Sequence, residues 1–199
     1  MRLRLGLFGG AFDPPHNTHA ALIALAVEQL QLDELRVFPT GVAWHKPRQL
    51  TPAVHRVAMA ALAFSPIPHV VVDDRETRRA GPSYTVDTLR ELKAEEPQAE
   101  LFLVMGGDQA RALTSWHEWR AILQLAIICV ADRRDSTGAT PGFLPPTGLE
   151  SRYLRLELPP SAVSASEIRA RVATHRSVAP LVCEPVARYI DHHHFYQTV

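Results

Sequence analysis

Six unbroken apolar runs, all but the fifth followed by a segment of helical periodicity, constrain this chain more than any other feature. "LRLGLFG" (3–9), "LRVFPT" (35–40), "HVVVDD" (69–74), "ELFLVMGGD" (100–108), "LAIICVADR" (125–133) and "RYLRLEL" (152–158) read as strands. Helical patterns run over 18–32, 51–64, 83–96, 116–123, 164–174 and 184–194. Thr51 and Ser83 stand where N-caps belong, with Pro52 at the first helical position. Strands without polar alternation are buried on both faces, and in β/α alternation that means a parallel sheet covered by helices on each side. The prediction is a doubly wound α/β sheet with C-terminal helices, built as one domain over 1–199, binding its ligand beyond the carboxyl ends of the strands. The segment 133–152 lacks periodicity and is rich in turn formers, so it reads as a surface loop.

Composition narrows the partners. The 21 basic and 21 acidic residues cancel, which argues against general nucleic-acid binding but leaves room for a local basic pocket. Cys129 and Cys183 have no metal or redox spacing and read as reduced thiols. The apolar run at the N-terminus is too short for a signal peptide, and nothing approaches the length of a membrane span. The expectation is a cytoplasmic protein without nucleic-acid or membrane partners. The "HHH" at 192–194 is followed by "FYQTV" and continues a helical pattern, so it is not a tag.

The chemistry concentrates in "GLFGGAFDPPHNTHAAL" (6–22). Gly9 and Gly10 end the first strand, where backbone can approach a ligand and expose its N–H groups. Pro14 and Pro15 stiffen the turn. His16 and His19 then share one face at a helix start, where unpaired N–H groups and the dipole favour anions. The combination reads as a polyphosphate site. Alone, the histidine pair would be a weak signal: the HExxH of a zinc hydrolase is absent, and so are the GxGxxG and P-loop patterns.

"GGAFDPPHNTH" resembles the GGxFDPxHxGH signature of the HxGH nucleotidyltransferase superfamily, and "VSASEIR" (163–169) resembles its ISxTxIR motif. Within that superfamily the chain is most similar to the bacterial nicotinate-nucleotide adenylyltransferases. The similarity runs through "DELRVFP" (33–39), "HK" (45–46), "DDRETRRAGPSYTVDTL" (73–89), "MGGD" (105–108), "WHEW" (116–119), "RR" (133–134) and "LVCEPVARYIDHHHFY" (181–196). The resemblance implies a Rossmann-like fold. It also implies a reaction in which ATP and nicotinate mononucleotide give nicotinate adenine dinucleotide and pyrophosphate, in NAD biosynthesis.

The resemblance assigns residues as follows. His16, His19, Lys46 and Arg133 or Arg134 act on the phosphates, with His19 nearer the α-phosphate. Gly9, Gly10, Ala11, Phe12, Gly106, Asp108, Ser164, Ser166 and Arg169 join the two histidines around ATP. His45, Tyr84, Thr85, Trp116 and Trp119 receive nicotinate mononucleotide, the ring stacking on Trp116. Mg²⁺ is carried mainly by phosphate and water, with Asp13 as a weak ligand, and a homodimer is compatible. The alternatives are a sister enzyme acting on nicotinamide mononucleotide or phosphopantetheine, and a non-catalytic ATP sensor. Thr18 replaces the motif glycine, Trp44 a usual proline, and Thr40–Gly41 a usual polar pair.

Overall fold

A computed structural model describes residues 2–42, 49–131, 143–159 and 163–197. The strands are β1 (Arg4–Gly10), β2 (Glu34–Pro39), β3 (Val70–Val72), β4 (Glu100–Gly106), β5 (Ala126–Ala131) and β6 (Tyr153–Leu156). The helices are α1 (Asn17–Gln29), α2 (Ala53–Phe64), α3 (Arg75–Arg78), α4 (Thr85–Glu95), α5 (Gly107–Ala112), α6 (Trp119–Leu125), α7 (Ala165–Ala173) and α8 (Glu184–His192). The strands form one parallel sheet in the order β3-β2-β1-β4-β5-β6, which is the doubly wound arrangement.

The central apolar runs are unbroken because β1, β2, β4 and β5 each feed two cores. Leu5 and Leu7 of β1, with Leu101, Leu103 and Met105 of β4, pack against Val86 and Leu89 of α4 and Ile122 of α6. The intervening Phe8, Phe102 and Val104 face Ile23 and Ala26 of α1 and Phe64 of α2. A third core joins Ile168 of α7 and Val186 and Ile190 of α8 to Met59 of α2. Burial pushes the Cys129 thiol up to about 12, which makes it inert at neutral pH.

Several boundaries differ from the sequence reading, among them the start of α6 at Trp119 rather than 116. Helix α2 is capped at Pro52, because Thr51 bonds elsewhere. Tyr84 caps α4, because the Ser83 hydroxyl accepts from the Gly41 N–H at 3.1 Å. The fourth strand ends at Gly106, and Gly107 already belongs to α5, so Asp108 sits inside that helix rather than at its cap. The short α3 had no periodic signal, since four residues are too few to show one. Of the predicted loop, 132–142 lies outside the described residues.

Candidate active site

The order reverses between β1 and β4, and their carboxyl ends frame a cleft there. A Cβ built on Gly9 would meet nothing within 4 Å, and the same holds for Gly106. Both glycines therefore leave backbone open for a ligand's approach. Gly10 has a different reason to be glycine: its Cβ would lie 2.9 Å from the Phe12 ring. That ring is 2% exposed and packs edge-on against Phe64 and His19, each with centroids 5.3 Å away. Phe12 holds a φ of +48°. Its side chain belongs to the core, so the assignment of Phe12 to ATP is corrected to its backbone alone.

His16 is the extended N-cap of α1, and the His19 ring stacks on its ring with centroids 3.7 Å apart and 22° between planes. The His16 N–H donates to His19 Nδ1 at 3.3 Å. With Nδ1 accepting there, Nε2 is the ring nitrogen left to donate to a phosphate oxygen. Phe8, Phe12 and Phe64 surround His19. The first amide of α1 is taken: the Asn17 N–H donates to Leu181 O at 2.9 Å. Thr18 is buried, so the side chain that replaces the motif glycine is enclosed by protein.

The turn between β1 and α1 is held from behind. Arg56, 2% exposed, donates to Ala11 O at 2.9 Å, Thr51 O at 2.8 Å and Gly41 O at 3.3 Å. Arg169 donates to Asp13 O at 2.8 Å and to Ser166 Oγ at 3.0 Å. Ser164 caps α7, its hydroxyl accepting from the Glu167 N–H. The two motifs from opposite ends of the chain thus meet. The Asp13 carboxylate is 3% exposed and accepts from Tyr196 OH at 2.6 Å and the Thr51 N–H at 3.3 Å. Both of its oxygens serve protein donors, so it clamps the turn. Among the described residues no three His, Cys, Asp or Glu side chains gather as a metal cage. A Mg²⁺ ion carried by phosphates and water needs none.

On the other side of the cleft, "PSYT" and "WHEW" come together. The Tyr84 ring stacks on His117 at 4.4 Å and 30°. Arg90 of α4 makes a two-toothed bond to Glu118, at 3.1 and 2.5 Å, which ties the Trp116–Trp119 turn to α4. Glu118 sits in the left-handed region. Trp116 and Trp119 are half-buried with one side on the core, and Thr85 opens α4. Asp108 extends into solvent from the first turn of α5 and pairs with Arg111 at 2.7 Å. Gly41 is required by packing, since its Cβ would lie 2.2 Å from Glu76 O.

Of the predicted residues, His45, Lys46, Arg133 and Arg134 lie outside the described residues, as does Trp44. Of the others, His16 and His19 stack at the head of α1, Arg169 and Ser166 bond each other beside Asp13, and Tyr84 meets His117. Sequence reasoning missed Arg56, Tyr196 and His117. Arg56 carried a signal, because it shares the apolar stripe of α2 with Met59, Ala60 and Phe64. A cation on a buried stripe must have partners.

A model of the cytidylyltransferase-like family matches residues 7–171. A protein of Albidiferax ferrireducens named "Probable nicotinate-nucleotide adenylyltransferase" is 66% identical over 195 residues, covering 98% of each chain. One of the same name from Methylibium petroleiphilum is 46% identical over 200 residues, covering 97% of this chain and 92% of that one. Among solved structures, the Plasmodium falciparum nicotinic acid mononucleotide adenylyltransferase complexed with NaAD matches with a TM-score of 0.80. That match covers 98% of both chains at 19% identity, a likeness of fold.

Proposed function

The chain belongs to the cytidylyltransferase-like family, and within it to the nicotinate-nucleotide adenylyltransferases; on that premise we propose that it transfers the adenylyl group of ATP to nicotinate mononucleotide in the cytoplasm. The products are nicotinate adenine dinucleotide and pyrophosphate. The observation that carries the reading is the stacked His16–His19 pair at the head of α1, beside the open Gly9 and Gly106 backbone.

ATP lies across the switch point. Gly9, Gly10 and Ala11 present backbone to its phosphates, Gly106 and Asp108 face its nucleoside, and Ser166 and Arg169 close the phosphate end from α7. Nicotinate mononucleotide lies against the Tyr84–Thr85 and Trp116–Trp119 wall, where an indole face suits an electron-poor ring. Its phosphate is already ionised at neutral pH, so attack on the α-phosphorus of ATP needs no general base. Catalysis is then alignment of the two phosphates plus stabilisation of charge shifting onto the leaving pyrophosphate. His19 Nε2 donates to the α-phosphate, and His16 supports it through the stacked ring. Lys46 with Arg133 or Arg134 adds charge from the flanking segments. Mg²⁺, when bound with the triphosphate, would supply further neutralisation of the pyrophosphate.

The test is pyrophosphate release from Mg·ATP with nicotinate mononucleotide, nicotinamide mononucleotide and phosphopantetheine offered separately. Nicotinate mononucleotide should be the preferred acceptor. His19→Ala should lower kcat by about 10²–10³, the cost of removing one preorganised donor to a developing charge. Release that is indifferent to the acceptor, or to His19→Ala, would sink the reading.

A further inference from the structure

The C-terminal segment grips the nucleotide turn at separate points. Pro180 O accepts from the Asn17 side-chain amide at 3.2 Å, and Leu181 O from its backbone N–H at 2.9 Å. Arg169 holds Asp13 O. The last grip is the longest in sequence: Tyr196 OH reaches back 183 residues to donate to Asp13 Oδ1 at 2.6 Å. Thr51 completes the group, donating its hydroxyl to the Tyr196 oxygen at 3.4 Å and its N–H to Asp13 Oδ2 at 3.3 Å.

Two features show that this bond is built into the fold. Tyr196 has a φ of +64°, a conformation uncommon for a bulky residue, which turns its ring inward. The chain before it is fixed on α2 by a ring cluster: Phe195 lies 4.8 Å from His55, and Tyr189 OH hydrogen-bonds His55 Nδ1 at 2.9 Å. The phenol thus arrives from an anchored segment at a buried carboxylate. That carboxylate belongs to the turn whose preceding residues, Gly9 to Ala11, face the cleft.

We propose that Tyr196 is a positioning residue for ATP. Acting through the Asp13 carboxylate, it fixes the Gly9–Asp13 turn in the form that presents its backbone, and the His16–His19 pair, to the triphosphate. The proposal rests on the adenylyl-transfer reading above. It assigns the last described turn of the chain to the phosphate end of the site, remote from the Trp116–Trp119 wall.

Tyr196→Phe keeps the ring in its packed position and removes only the donor. A purely structural anchor would lower thermal stability and leave substrate affinities alone. A positioning bond should raise the KM for ATP, and the ATP Kd measured by calorimetry, about tenfold, the scale of one charge-assisted hydrogen bond. The KM for nicotinate mononucleotide should stay within about twofold, because its wall lies across the cleft. Unchanged ATP affinity, an equal loss for both substrates, or loss of the folded state would each overturn the proposal. If the wild-type protein transfers no adenylyl group, the functional reading fails by itself. ATP calorimetry on the two proteins then still decides the role of Tyr196.

Discussion

Two regions of this molecule are rich in arginine and carboxylate, and they are built on opposite principles. Along the outer edge of β2 and β3, Arg36 pairs with Glu34 at 2.5 Å and Glu95 at 3.0 Å. Arg75 pairs with Asp73 at 2.7 Å and Glu95 at 2.6 Å, and Arg79 with Glu91 at 2.6 Å. Burial alone would raise the Asp73 carboxyl, but hydrogen bonds from Arg75 and the charges of Arg75 and Arg36 hold it below the usual range. Side chains there satisfy one another. At the nucleotide turn, Arg56 and Arg169 instead donate to main-chain oxygens of Ala11, Thr51, Gly41 and Asp13. These cations shape a loop whose far side faces the cleft. Charge density does not mark a site; a loop braced from behind and open in front does.

The sharpest way to break that contrast is at Arg56. Arg56→Met keeps the bulk and deprives three partly buried carbonyls of their donor. Each orphaned group costs about 1–3 kcal/mol, less what water recovers, so a loss of roughly 3–5 kcal/mol is expected. Arg36→Met, in the half-exposed network, should cost about 1 kcal/mol or less, since partly exposed pairs are weak. Urea denaturation midpoints at constant m-value measure both. Equal losses would erase the distinction between a brace and a network.

Glu76 tests the same contrast from the network side. It is 7% exposed and accepts from the Thr88 hydroxyl at 2.8 Å. Burial pushes its carboxyl up to about 7, against the downward pull of the Thr88 bond and the Arg79 charge. A group whose pKa is higher folded than unfolded binds more protons when folded. Its stabilising effect is complete below the unfolded value near 4.5 and is lost as pH rises through about 7. The window is therefore pH 4.5 to somewhat above 7, and the loss is on the order of 2–3 kcal/mol. Glu76→Gln removes the titration, so the variant should gain stability relative to wild type as pH rises from 5 to 8. Thermal melts of both proteins across that range would read it, and parallel curves would count against it.

The fold was legible because the central strands β1, β2, β4 and β5 each feed two cores, leaving apolar runs that only a covered parallel sheet requires. The nucleotide turn was legible because Gly9, Gly10, His16 and His19 lie within eleven residues. Tyr196 was not, since its partner Asp13 is 183 residues away and a lone tyrosine near a chain's end carries no pattern. Phe12 was misplaced because a motif position does not say which way a ring points; only the packing with Phe8, Phe64 and His19 does. "DDRETRRAGPSYTVDTL" was read as one block of similarity, but of it Tyr84 is what meets the WHEW turn, at His117. Its charged start is spent on Glu91 and Glu95 of α4.

The finest test lies within two adjacent glycines. Gly10 belongs to the braced back: its Cβ would press on the Phe12 ring tip at 2.9 Å, and that ring is wedged among Phe8, Phe64 and His19. Gly10→Ala should cost about 1–2 kcal/mol of stability through overpacking, with activity lost as His19 is displaced. Gly9 belongs to the open front, where a Cβ meets nothing. Gly9→Ala should leave stability within about 0.5 kcal/mol. It should still reduce kcat/KM for ATP about tenfold or more, because the methyl occupies the space a phosphate must enter. Melting temperature and ATP kinetics on the pair separate the two roles. If Gly9→Ala retained full activity, the backbone there would not be a phosphate seat, and the open front would have to be sought along Gly106 instead.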